Sequence, residues 1–268
     1  MAAVNAYEGV EAPANFKDGE ALARYRATVL EKSKEQASFI RRHFQNASSL
    51  IEACCGNARL LIALADSFDR LEGFDLAASR IAFAQRWIAD LALPHVGAHV
   101  GDMFAYKAQA ADVGICITGA LGYFDGLGSD GGKRALQAFS SLIRPGGGLL
   151  LELYQHPRVR SHCALEADGV IRHWQELPPE DPFRFYLSRY RFDQISKLLH
   201  HEKTFVGRDG SVDEGRSETL RVYSAEEMIG LLDPGYEDIV LFSGWRDEPY
   251  KDGDDTMVVT ARRRLGAL

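Results

Sequence analysis

The chain has 268 residues, 46% hydrophobic and 26% charged, with a formal net charge of −7 and a pI near 5.6. That length and composition suit a packed α/β core, and the acidic balance gives no electrostatic footprint for nucleic acid. Four cysteines (Cys54, Cys55, Cys116 and Cys163) show neither CxxC pairing nor zinc-ligand spacing, so free thiols and a cytoplasmic chain are expected. No apolar run reaches the roughly 20 residues of a membrane span. Residues 1–18 carry acids and no apolar stretch, unlike a signal peptide. The basic run Arg262-Arg263-Arg264 reads as a solvated tail.

In chain order, residues 1–18 read as a loose arm bearing Tyr7 and Phe16. Residues 19–44 place Leu22, Tyr25, Val29, Leu30, Phe39, Ile40 and Phe44 near one face, which predicts an amphipathic helix. Residues 48–53 predict a buried strand. Cys54-Cys55-Gly56-Asn57-Ala58 then makes a turn of small residues before a helix over 59–66. Small residues let a ligand approach the backbone, and a helix N-terminus offers free N–H groups. A second strand over 70–75 ends in Asp75, and a carboxylate at that spacing can accept both hydroxyls of a ribose. The other reading of Asp75 is a cap for the helix over 76–91.

A third strand over 95–100 leads into Gly101-Asp102-Met103, either a plain turn or a carboxylate placed to accept from an amine. The apolar run 112–117 predicts a buried parallel strand entering the loop Thr118-Gly119-Ala120-Leu121-Gly122-Tyr123-Phe124. A helix over 131–142, a Pro145-Gly146-Gly147-Gly148 turn and a strand over 149–154 follow. Residues 155–222 are aromatic-rich. Partial alternation over 183–192, with further candidates at 198–206 and 219–223, predicts an inserted antiparallel sheet of three or four strands. Ser224 and Glu227 form a capping box for a helix to about 232, before strands over 237–242 and 256–261.

The stretch Leu50-Ile51-Glu52-Ala53-Cys54-Cys55-Gly56-Asn57-Ala58 resembles motif I of class I S-adenosylmethionine-dependent methyltransferases, apolar-apolar-acid-x-Gly-x-Gly-x-Gly. Cys54 stands at the first glycine, Gly56 at the second and Ala58 at the third. Cysteine disfavours the positive φ that glycine accepts. Asp75, Gly101-Asp102 and the Arg-Pro-Gly-Gly-Gly turn at 144–148 extend the resemblance. It implies an α/β fold: a Rossmann-like, seven-stranded, doubly wound sheet with the last strand antiparallel, plus an inserted antiparallel sheet after the fifth strand. The implied division is an N-terminal helical cap or lid over 1–47, a methyltransferase core over 48–154 and 223–264, and an insert over 155–222. The insert would cover the active site, as in nucleotide-sugar N-methyltransferases. Tyr7, Phe16 or Tyr25 would belong to the lid.

The resemblance also implies S-adenosyl-L-methionine as cofactor, held by Glu52, Ala53, Cys54, Gly56, Asp75, Leu76, Asp102, Met103 and Gly119. The acceptor would be a small-molecule hydroxyl or amine, the protein a monomer or homodimer, with no nucleic-acid or membrane partner. His156, two residues past the fifth strand, is the candidate base, unless it is an exposed loop histidine. Tyr123 is the other catalytic candidate, and Tyr154, His173 and Trp174 are candidate pocket residues. Adjacent His200 and His201 would point to opposite faces of a strand, against a paired metal site. No metal is expected, because the loop at 118–124 has no carboxylate. Two other readings stand beside this one. A non-catalytic binder of the same cofactor is motivated by Cys54. A nicotinamide enzyme is disfavoured by the missing GxGxxG spacing.

Overall fold

Five strands enter one sheet in parallel: β1 (Ser49–Ala53), β2 (Arg70–Asp75), β3 (Val96–Val100), β4 (Ala111–Cys116) and β5 (Ile143–Tyr154). The computed structural model describes residues 11, 16, 18–128, 130–156, 168–179, 181 and 183–266. Tyr7, Cys163 and most of the arm lie outside them. β10 (Tyr236–Ser243) and β11 (Thr256–Arg263) complete the sheet in the order β10-β11-β5-β4-β1-β2-β3, with β11 antiparallel to both neighbours. β1 is buried throughout, Ser49 and Glu52 included, so its burial does not alternate along the strand.

The helices are α1 (Gly19–His43), α2 (Arg59–Ala63), α3 (Ala78–Asp90), α4 (Ala120–Tyr123), α5 (Gly131–Ser140) and α6 (Ala225–Leu232). Alternate strand residues bury on opposite faces. Leu50 joins Phe39, Leu61 and Trp87 from α1–α3, whereas Ile51 joins Phe139, Met228 and Leu232 from α5 and α6. The sheet is thus covered on both sides, and the C-terminal ends of β1, β2 and β4 open on one edge. No helix among the described residues is long and apolar enough to cross a membrane.

The predicted turn at 143–148 is part of β5. Pairing jumps from Ala111↔Ile143 to Val113↔Gly148, so the glycines form a bulge inside a strand rather than a turn before one. The predicted capping box at Ser224 and Glu227 is formed. The insert is a separate four-stranded antiparallel sheet, β6 (Val170–Glu176), β7 (Phe183–Phe192), β8 (Leu198–Gly207) and β9 (Val212–Arg221). β9 begins seven residues before its predicted start because its first half, Val212 to Glu218, is mostly polar.

The insert docks on the core through α4 and the turn of 3-10 helix after it. A Cβ on Gly122 would lie 2.6 Å from the Arg221 carbonyl oxygen, and one on Gly126 would lie 2.5 Å from that of Thr219. The loop after β4 therefore needs glycine where the β9 backbone passes. A Gly122→Ala variant should lose about 1–3 kcal/mol of stability in urea unfolding through this overpacking, and β9 amides should exchange faster.

Candidate active site

The turn after β1 is left-handed at three alternate residues: Cys54 at φ 57°, Gly56 at 55° and Ala58 at 58°. These are the three positions that the motif gives to glycine. Cys54 and Ala58 each carry a backbone cost of about 1 kcal/mol or more. At Gly56 a Cβ would lie 2.7 Å from the Arg80 guanidinium, so a larger residue there would have to displace that side chain. Local bonds hold the loop. Asp75 Oδ2 accepts from Gly56 N–H at 2.9 Å and its Oδ1 from Ala77 N–H at 2.8 Å. Cys55 N–H donates to the Phe74 carbonyl. The Cys54 thiol is pushed up by its hydrogen bond with Cys116 and by burial, and burial pushes up Cys55. Neither is a thiolate nucleophile.

Glu52 is 2% exposed, and its buried Oε2 has no hydrogen-bond partner among the described residues. Burial pushes its carboxyl up to about 8, against the opposing charge of Arg59 and with a further push from Asp75. An orphaned carboxyl oxygen beside a backbone-lined loop fits a ligand that brings a cation. Asp75, 8% exposed, keeps lone pairs beyond its two backbone bonds. Arg80 caps this corner by pairing with Glu11 of the arm (Nε to Oε2 3.0 Å, Nη2 to Oε1 2.9 Å), and Asn57 Nδ2 and Tyr25 OH also donate to Glu11. Phe16 and Tyr25 pack against Phe83 of α3.

Leu76 is 61% exposed directly after Asp75. Asp102 is exposed and accepts from Phe104 N–H at 2.8 Å, forming the turn that was its plainer reading. Met103 is buried in the cluster with Phe74. After β4, Glu152 fixes the loop. Its Oε2 accepts from Thr118 N–H at 2.7 Å, its Oε1 from Trp245 Nε1 at 2.7 Å, and its backbone carbonyl from Gly119 N–H at 3.0 Å. Gly119, at φ 70°, lies under the Tyr154 ring.

Between these strand ends and the insert is a cavity of about 320 Å³. Tyr123, Tyr154 and His156 line it from the core, and Tyr186, Tyr190 and His201 from the insert. The Tyr154 and His156 rings lie 5.2 Å apart, and His156 sits at φ 47°. The structure does not bring His173 or Trp174 to the cavity. Trp174 pairs with Leu187, on the face opposite Tyr186, and is 64% exposed. His173 pairs with Ser188 on the exposed strand β6 and is not among the lining residues. Tyr186, Tyr190, His201, Lys203 and Glu218 also line the cavity, and none of them is a site candidate by sequence. Their signal was the alternation along β7 to β9, which puts His200 and His201 on opposite faces and so turns one of them inward. No group of three or more His, Cys, Asp or Glu among the described residues is placed to hold a metal ion.

A doubly wound sheet with one reversed strand, a left-handed loop after β1 and a carboxylate ending β2 meet at one edge of the sheet, where doubly wound folds bind their ligands. Residues 50–147 match the family model of a methyltransferase domain. The chain is 31% identical over 128 residues to a dTDP-3-amino-3,6-dideoxy-alpha-D-glucopyranose N,N-dimethyltransferase of Streptomyces fradiae. That alignment covers 47% of each protein, about half the relative's length. Among solved structures, the fold is similar to an S-adenosylmethionine-dependent methyltransferase from Clostridium acetobutylicum (TM-score 0.71, 15% identity, 87% of this chain and 92% of that one). It is also similar to an amino pentose methyltransferase from Micromonospora echinaspora (TM-score 0.62, 23% identity, 91% and 95%).

Glu52 yields a pH prediction. Its folded carboxyl titrates near 8 against an ordinary 4.5, so the folded state holds a proton that the unfolded chain releases. Stability should fall as pH rises from about 4.5 to 8 and level off above. Glu52→Gln should flatten that slope and raise cofactor-free stability at pH 8 by on the order of 3 kcal/mol, read from unfolding curves at pH 5 and pH 8.

Proposed function

We propose that the protein transfers a methyl group from S-adenosylmethionine to an amine or hydroxyl of a small molecule held in the cavity between the strand ends and the insert. The observation that carries this reading is the cavity's position. It is walled by Tyr123, Tyr154 and His156 from the ends of β4 and β5, the edge of the sheet where the Gly56 loop and Asp75 also lie. Ligands of doubly wound sheets bind at that edge. When bound, S-adenosylmethionine supplies a methyl group already activated by its positive sulfur. Asp75 is the acceptor for the ribose hydroxyls, and the unpaired oxygen of Glu52 takes the cofactor's ammonium. Leu76 covers the adenine with its exposed apolar side chain, and Asp102 accepts from the adenine amine. Cys54, Ala53 and Gly56 bring backbone against the cofactor, and Gly119 does so from the loop that Glu152 holds.

The chain's share of catalysis is to place the acceptor and keep water out, since the methyl needs no further activation. Tyr123, Tyr154 and His156 orient the acceptor from the core side. An amino sugar is the acceptor class favoured here. The Streptomyces fradiae relative is named for such a substrate, and the aromatic and polar lining suits a sugar ring with an attached amine.

Asp75→Ala should weaken binding of S-adenosylhomocysteine by about 1–3 kcal/mol through lost charge-assisted hydrogen bonds. The folded wild-type protein should transfer label from methyl-labelled cofactor to a member of a panel of amino sugar nucleotides. Unchanged affinity in the variant would remove the ribose assignment, and no transfer to any amine or hydroxyl in the panel would remove the acceptor assignment.

A further inference from the structure

The inner face of the insert carries a connected set of titratable groups. The pairings Tyr190↔His201 and His201↔Glu218 align side chains across β7, β8 and β9. Glu218 Oε1 lies 2.9 Å from His201 Nδ1 and 2.5 Å from Lys203 Nζ. His201 Nε2 lies 2.7 Å from the Tyr186 hydroxyl. The Tyr190 ring stacks on the imidazole with centroids 4.1 Å apart. The His201, Lys203 and Glu218 side chains are 9%, 3% and 9% exposed. Burying three such groups is costly unless they satisfy one another. Here they do, and with Tyr186 they line the cavity.

The partners dictate the protonation pattern. Burial pushes the Glu218 carboxyl up, but the His201 hydrogen bond and the Lys203 charge outweigh it and hold the group below its ordinary value. An ionised carboxylate only accepts, so His201 Nδ1 is the N–H and Nε2 carries the lone pair. The Tyr186 hydroxyl therefore donates to Nε2, and a phenolic oxygen that donates its proton can also accept one. Burial, with help from the Lys203 charge, pushes His201 down against the pull of Glu218, so the resting imidazole is neutral.

We propose that the Tyr186–His201–Glu218 chain is the proton acceptor for the molecule being methylated, which is therefore a protonated amine or a hydroxyl. The proposal rests on the methyltransferase reading above. The acceptor's N–H or O–H bond breaks as its proton passes to the Tyr186 oxygen, and the Tyr186 proton moves to His201 Nε2. The electron pair left on the acceptor atom is then free to take the methyl. Glu218 steadies the imidazolium that forms. Lys203 is a positioning residue that keeps Glu218 ionised and His201 neutral beforehand. The other titratable or charged groups around this chain are Asp181 beside β7, Arg216 paired with Lys203 on β9, and Tyr123, Tyr154 and His156 across the cavity.

Nitrogen-15 NMR of histidine-labelled holoprotein at pH 7 should show His201 as the neutral Nδ1–H tautomer, with its midpoint raised in Lys203→Met. In single-turnover transfer to an amino sugar nucleotide, Tyr186→Phe and His201→Gln should each slow the step at least about 100-fold. Both should bind S-adenosylhomocysteine within about twofold of wild type. His201→Gln should also remove the rising limb of the pH–rate profile, which His156→Gln should keep. An Nε2–H tautomer or a protonated His201 at pH 7 would overturn the proposal, as would an unchanged rate in Tyr186→Phe. Failure of wild-type protein to bind S-adenosylhomocysteine would instead sink the underlying reading, and this proposal with it.

Discussion

Two backbone N–H groups, those of Gly56 and Ala77, point at the two oxygens of Asp75 and tie the end of β2 to the loop after β1. That loop must turn left-handed three times in five residues, and two of those turns are made by residues with side chains. The Asp75 bonds, the Cys55–Phe74 backbone bond and the Cys54–Cys116 contact hold a conformation that local propensity resists. The cofactor edge exists because these contacts outweigh the strain. Asp75 is a brace for the loop, and its two backbone bonds fix the orientation of its carboxylate.

The second half of the site depends on the close docking of the insert. Gly122 and Gly126 admit the β9 backbone against the loop after β4, and this brings the inner face of the four-stranded sheet over Tyr123, Tyr154 and His156. The two walls differ in character. The core wall offers aromatic edges and one histidine. The insert wall offers a buried histidine, lysine and glutamate that are mutually satisfied.

The sheet was legible in the sequence because its strands are short, mostly apolar runs ended by small residues or acids, as at Ala53, Asp75 and Cys116. The strained loop was half legible. Cys54 stood at a glycine position, and the structure puts it at positive φ where cysteine resists, rather than reshaping the turn. β5 was longer than read because a bulge, which pattern cannot separate from a turn, absorbs the Pro-Gly-Gly-Gly segment. The insert was legible as a sheet, but its facing was not. Trp174 looked like a pocket residue by aromatic content, yet pairing with Leu187 places it on the outer face. His201 looked unremarkable because its partners, Tyr186 and Glu218, lie 15 and 17 residues away and meet it only across strands.

The proposed function requires that the edge formed by Glu52, Gly56 and Asp75 take a sulfonium nucleoside. Calorimetric titration of wild-type protein with S-adenosylmethionine and, separately, with NAD should then give one site per chain for S-adenosylmethionine and no heat with NAD. Heat with NAD alone, or with neither in folded protein, would contradict that function.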